Sequence, residues 1–130
     1  MKPLKYLLNA SLMLVCTVVL CSSRSANPID RYGNYKGVCL KGYVYFSNDP
    51  YDDDAFKAYC RDVPDFADLN VFFVQSGVHS KPGHWSIVRH RKDADFSIYL
   101  MGSFDYEVLH IKPDFNIYIV DNWRHAGVAR

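Results

Sequence analysis

From Tyr43 onward the chain is built of short apolar runs with a period of two, separated by clusters of Asp, Asn, Gly and Pro. Alternation of this kind marks half-buried strands, and the punctuating residues mark turns. Strands are expected over Tyr43–Phe46, Phe56–Cys60, Leu69–Gln75, His84–His90, Phe96–Met101, Tyr106–Ile111 and Phe115–Asp121. Leu69, Val71 and Phe73 share one face, as do Phe96, Ile98 and Leu100, and Phe115, Ile117 and Ile119. The opposite face opens polar at Asn70, Ser97 and Asn116, then turns aromatic at Phe72, Tyr99 and Tyr118, with Tyr59 in the matching slot. Exposed, that column of rings would suit a glycan or protein partner; buried, it is a second half-core, the reading that cross-strand aromatic pairing favours.

The strands also repeat. Ala67-Asp68-Leu69-Asn70-Val71-Phe72 returns as Ala94-Asp95-Phe96-Ser97-Ile98-Tyr99 and as Pro113-Asp114-Phe115-Asn116-Ile117-Tyr118, with a weaker copy at Asp54-Ala55-Phe56-Lys57-Ala58-Tyr59. A unit this short cannot bury its own apolar face, so copies must pack on one another. The Asp before each strand is expected to cap nearby backbone N–H groups and set a turn, which accounts for three copies without any catalytic role. The expected fold is all-β: one compact domain of about seven short strands in degenerate repeats of about 13 residues.

The N-terminus departs from this pattern. Lys2 and Lys5 precede an apolar run from Tyr6 to Leu20, and Ser22, Ser23, Ser25 and Ala26 follow. That order reads as a signal peptide over residues 1–25, helical and cleaved near Ser25. An apolar run of about 15 residues falls short of the roughly 20 that a spanning helix needs. Lipid attachment at Cys16 or Cys21 is disfavoured by the bulky Val15 and Leu20 before them. Residues 26–41 read as a polar lead-in, and the mature chain is expected to be secreted or periplasmic, with no membrane span. Loss of the signal moves the net charge from +1 to about −2, so no nucleic-acid surface is indicated. Cys39 and Cys60 remain in an oxidising compartment, where a disulfide closing about 22 residues is the default expectation.

The repeat copies, together with Gly42-Tyr43-Val44-Tyr45-Phe46, the isolated Trp85 at a strand start and the closing Val120-Asp121 with Ala126-Gly127, resemble the septoil-knot domain family over residues 42–130. The resemblance implies a deeply knotted backbone and carries no catalytic residues. Three segments depart from the family pattern: Val74–Gly83 is a longer, non-repeating linker, Ser103–Ile111 lacks the Ala-Asp pair, and Gly127-Val128-Ala129-Arg130 lacks the aromatic that typically follows the Gly.

Candidate chemistry is sparse. His79 and His84 flank Ser80-Lys81-Pro82-Gly83, a turn that no helix can cross, and His90 follows on the next strand. The loop Asp49–Asp54 is acidic but lacks the Gly and the terminal Glu of an EF-hand. A G-x-S-x-G elbow and a phosphate loop are missing. The leading expectation is a non-enzymatic binding or structural module, with no cofactor and an unidentified protein or glycan partner. The alternative is a small secreted enzyme or toxin using the His79, His84 and His90 region or the Asp49–Asp54 loop.

Overall fold

The computed structural model describes residues 26–129; the signal-peptide assignment lies outside them. A short hairpin, β1 (Asn34–Tyr35) and β2 (Val38–Cys39), leads into six strands: β3 (Gly42–Ser47), β4 (Ala55–Cys60), β5 (Leu69–Phe73), β6 (His84–Val88), β7 (Phe96–Met101) and β8 (Phe115–Ile119). A two-residue strand, β9 (Gly127–Val128), adds to β5 in antiparallel fashion. The six long strands are all parallel and close into a barrel in the order β6-β3-β7-β4-β8-β5, with β5 returning to β6. The chain therefore makes two circuits. β3, β4 and β5 leave gaps on the first, and β6, β7 and β8 fill them on the second.

Register around the barrel follows one rule. Val44 pairs with Phe96, and Ile98 lies two residues on. Ile98 pairs with Phe56, with Ala58 two on; Ala58 pairs with Phe115, with Ile117 two on. Ile117 pairs with Leu69, with Val71 two on, and Trp85 pairs with Gly42, with Val44 two on. Phe73 opposite Trp85 sets the last step, from Val71 to Trp85. Six inward side chains, one per strand, thus form a closed ring, and Val44, Ile98, Ala58, Ile117, Val71 and Trp85 are each 0% exposed. Two residues per strand over six strands implies strands inclined roughly 55° to the barrel axis, steeper than the usual 35–45°. Trp85 and Ala58 lie diametrically opposite in this ring, so the largest inward side chain faces the smallest. The Trp85 indole N–H donates to the Leu40 carbonyl at 2.9 Å.

At the strand starts, Leu69, Phe96, Phe115 and Phe56 form the next layer, and Ile29, Tyr35 and Leu40 pack with them. The segment read as a polar lead-in is thus part of the core. At the strand ends the apolar face opens: Phe46 and Phe73 still pack inward, whereas Leu100 and Ile119, expected on the buried face, are exposed.

The repeat Asp residues fix the register. Asp95 N–H donates to the Tyr43 carbonyl and its Oδ2 accepts from Tyr43 N–H, both at 2.8 Å. Asp114 grips Lys57 in the same two-point manner at 2.7 Å, and Asp68 grips Asn116 at 2.8 Å. Each Asp caps the neighbouring strand rather than its own turn. Gly42 has φ +117° and lies so close to the Asp95 carboxylate that a Cβ would collide with it. A 3₁₀ turn precedes two of these pairs, at Pro64–Phe66 and Arg91–Asp93; a third, Trp123–His125, precedes Ala126-Gly127.

One expected strand is absent. Tyr106–Ile111 starts inside a short helix, α1 (Ser103–Glu107), and continues as irregular chain instead of forming a strand. Asp105 is the cause: it is buried, accepts from Gly102 N–H at 2.9 Å and from the Tyr99 hydroxyl at 2.7 Å, and so winds the chain into a turn. Phe104, Tyr106 and Val108, whose alternation suggested a strand, are exposed. The expected Cys39–Cys60 disulfide is also absent; both thiols are free. Cys39 lies exposed in the hairpin ahead of the first barrel strand, whereas Cys60 ends the second and packs against the core. Burial pushes the Cys60 thiol upward, with the charge of Asp62 adding to it.

Two predictions follow from these contacts. Trp85→Phe and Ala58→Val should each destabilise by about 1–3 kcal/mol, the first through a void and the loss of one of the two hydrogen bonds that the Leu40 carbonyl accepts, the other coming from Gly83 N–H, the second through overpacking. Combined, they should cost at least about 1 kcal/mol less than their sum, because the added methyl groups reach toward the space the indole vacates; urea unfolding of the four proteins measures the cycle. The hydrogen bond to Asp105, then burial, pushes the Tyr99 phenol up to about 12. Because the raised value favours the neutral phenol, the stability it contributes is full below the unfolded value near pH 10 and is lost as pH rises toward 12. Ultraviolet titration should show this late tyrosine, and Asp105→Asn should bring it back toward the ordinary phenol range.

Candidate functional site

The two-residue step also decides where the aromatic column goes. Tyr99 pairs with Lys57, two before Tyr59; Tyr59 pairs with Asn116, two before Tyr118; Tyr118 pairs with Asn70, two before Phe72. Tyr45 pairs with Ser97, two before Tyr99. The rings form a belt around the outside of the barrel rather than a second core. Tyr59, Phe72, Tyr99 and Tyr118 are all half-buried, and none belongs to the core cluster. Side chains from the connections cover much of it. The Arg61 guanidinium lies 4.7 Å from the Tyr59 ring centre, Arg91 lies 5.1 Å from that of Tyr45, and Tyr106 meets Tyr59 edge-on. Tyr45 is a further member of this belt that the repeat does not reveal, because the strand it occupies lacks the Asp-led motif.

The belt has one break. On β6 the equivalent position is Ser86, and the connection 74–83 folds over it. Ser86 donates to the Val74 carbonyl at 2.9 Å and meets His79 Nε2 at 2.7 Å, while Tyr43 packs edge-on against His79. Beside this break, Phe72, Phe73, Val74, Gln75, Val78, Ser80, His84 and Trp123 line a cleft of about 520 Å³. That volume lies in the range of small-molecule sites. The lining carries neither an acidic side chain nor a Lys or Arg. Val78 and Trp123 are well exposed at its rim, and Phe72 is half-buried in its wall.

His84, 1% exposed, holds the cleft together. Its Nε2 lies 3.0 Å from the Trp123 carbonyl, which can only accept, so Nε2 carries the proton. Nδ1 is then an acceptor and takes the Ser80 hydroxyl at 3.1 Å and the Ser80 N–H at 3.3 Å. Lys81 Nζ bonds the Arg124 carbonyl at 2.8 Å, a second tie between this connection and the C-terminal turn. Gly83 has φ +90°, and a Cβ there would meet the Asn70 carbonyl, so only glycine lets the chain enter β6 this close to β5.

The three histidines singled out from the sequence do not converge. His84 floors this cleft, and His79 lines a separate depression with Cys39, Lys41 and Asp95. His90 is exposed at the start of a 3₁₀ turn. Among the described residues no three His, Cys, Asp or Glu side chains are arranged to hold a metal. The acidic loop is closed on itself. Asp52 accepts from the Ser47 hydroxyl and Asp54 N–H and pairs with Arg91, and Asp49 accepts from Tyr51 N–H. The Arg91 hydrogen bond, then that from Ser47, holds the Asp52 carboxyl well below the usual range.

A larger groove of about 1030 Å³ runs between Asn27, the Pro64–Asp68 turn, Asn116 and Ala129. Of its three carboxylates, Asp68 and Asp114 are the register clamps described above, and Asp65 lies in the 3₁₀ turn. Asn27 ties the first described residues to the last strand by donating to the Asp68 and Ala129 carbonyls at 2.9 and 3.2 Å. Among the described residues no helix is long and apolar enough to cross a membrane.

The chain matches no curated protein and no solved structure. The profile of the 7(1) septoil knot domain matches residues 40–129, a span that runs from just ahead of the first barrel strand through β9. With more than half of the chain covered by that profile, the protein belongs to the 7(1) septoil knot domain family.

Proposed function

We propose that this protein is a binding module that acts outside the cytoplasm and takes a neutral, largely apolar ligand into the cleft between Phe72, Val78 and Trp123. The uncharged, aromatic-lined cleft carries this reading. Charged ligands would find no counter-charge on the lining itself, since Arg124 lies over the Trp123 ring, 5.4 Å from its centre, without lining the cleft, so their desolvation is disfavoured. The amide of Gln75 and the hydroxyl of Ser80 supply the few polar contacts that fix orientation in such sites. Export rests on the Lys2 to Ala26 pattern, which has the order of a cleaved signal.

The barrel beneath the cleft is proposed to be deeply knotted and assembled from the repeats of about 13 residues. Two interleaved circuits support this: β6, β7 and β8 each sit between strands laid down earlier. A scaffold of that kind presents a cleft with little rearrangement on binding.

N-phenyl-1-naphthylamine, a neutral probe of apolar sites, should bind at one saturable site, with energy transfer from Trp123. Val78→Asp, an exposed rim position, should weaken it at least tenfold, about 1.4 kcal/mol. Wild-type protein that shows no saturable binding by fluorescence titration would remove this reading.

A further inference from the structure

We propose that the same cleft carries out acyl transfer, with Ser80 as nucleophile, His84 Nδ1 as general base and the Trp123 carbonyl as the group that orients the imidazole. The proposal rests on the cleft accepting a neutral apolar ligand and adds a chemical step to it. Three observations carry it. The Ser80 hydroxyl lies 3.1 Å from His84 Nδ1, within the reach a nucleophile–base pair requires. The other ring nitrogen is fixed by the Trp123 carbonyl at 3.0 Å, which sets the tautomer that leaves Nδ1 unprotonated. Ser80 is exposed while His84 is buried, so the hydroxyl is open to substrate and its base is shielded from water.

A carbonyl oxygen stands here where a carboxylate orients the imidazole in more familiar triads. It performs the positioning part of that role and supplies a dipole rather than a full charge to the imidazolium. The substrate class follows from the walls: an uncharged ester whose acyl group packs against Phe72, Phe73 and Val78. The Gln75 amide, on the same lining, is a neutral donor for the developing oxyanion.

The step balances without a cofactor. Ser80 Oγ bonds to the acyl carbon as its proton passes to His84 Nδ1, and the Trp123 carbonyl supports the imidazolium through Nε2–H. The alkoxy C–O bond then breaks, and the alcohol leaves with the Nδ1 proton. Water attacks the acyl-serine by the same route, giving its proton to Nδ1. The acyl–Oγ bond breaks, Ser80 recovers the proton and the carboxylic acid departs.

A bracing role alone would also place Ser80 beside His84, because the Ser80 N–H donates to the same nitrogen. The test therefore reads covalent chemistry. Protein produced from the full-length sequence is incubated with an alkyl fluorophosphonate, digested and mapped by mass spectrometry, and 4-nitrophenyl butyrate turnover is followed in parallel. The expected result is phosphonylation at Ser80 and turnover that falls at least about 100-fold in Ser80→Ala, the scale of a lost nucleophile–base pair, with circular dichroism of the variant unchanged. Should Ser80→Ala misfold, mapping of the wild-type protein still decides. A wild-type protein that binds N-phenyl-1-naphthylamine yet takes no label at Ser80 overturns the acyl-transfer step and leaves the binding reading standing. Failure of both measurements removes the cleft as a site.

Discussion

A displacement of two residues at every strand-to-strand step governs this molecule. Because side chains alternate faces with a period of two, a one-residue slip would turn every core residue outward, and hydrophobicity alone forbids it. A two-residue slip keeps all faces correct and is invisible to that force. The aspartates resolve this ambiguity. Asp68, Asp95 and Asp114 each engage both the N–H and the C=O of one residue on the adjacent strand, so the pairing can form in one register only. Two such steps share β8, where Asp114 grips β4 and Asn116 is gripped in turn by Asp68. The inward ring around Trp85 and the outward belt around Tyr99 are both consequences of that displacement.

The same displacement makes the topology physically attainable. Parallel strands ordinarily need a crossover of a dozen or more residues, because the chain must travel back the full strand length. Here the connections 48–54, 61–68 and 89–95 are only seven or eight residues long. At a steep inclination a six-residue strand advances only about 10 Å along the axis, so the return is short and the rest of the travel is lateral. The outer aromatics meet those connections as they pass, which is why Arg61 and Arg91 lie over tyrosines. A barrel of gentler tilt would require longer connections and would leave this belt uncovered.

Much of this was legible in the sequence because it is local. Period two placed six of the seven expected strands, and the Asp-led repeat announced that the copies pack together. The partner of each Asp was not legible, since Tyr43, Lys57 and Asn116 lie far away in the chain. For the same reason the rings at Tyr59, Phe72, Tyr99 and Tyr118 resemble a core column in the sequence alone: their relative height depends on a register that no single strand encodes. Alternation misled at Tyr106–Ile111, where a local hydrogen bond from Gly102 N–H to Asp105 outweighs it. The Cys39–Cys60 pairing rested on compartment and an even count, and neither carries geometry. Ser80 and His84 form a pair whose meaning depends on Trp123, brought in from the far end of the chain.

The position of the cleft has its own logic. Every connection in the barrel skips one strand except the connection 74–83, which joins the neighbours β5 and β6 and begins the second circuit. In open α/β sheets, ligands bind where strand order reverses, because adjacent connections diverge there and leave a crevice. The closed barrel has its counterpart at this one irregular step. The connections into β5, β7 and β8 end in an Asp clamp and lead to an aromatic belt residue; this one does neither, ends at a glycine pressed against the Asn70 carbonyl, and leaves Ser86 where a ring would stand. Release from the repeat is what frees Gln75, Val78, Ser80 and His84 to line a cleft instead of holding register. Gln75, Val78 and Ser80 belong to neither the Asp clamps nor the inward ring, so they can vary without loosening the barrel.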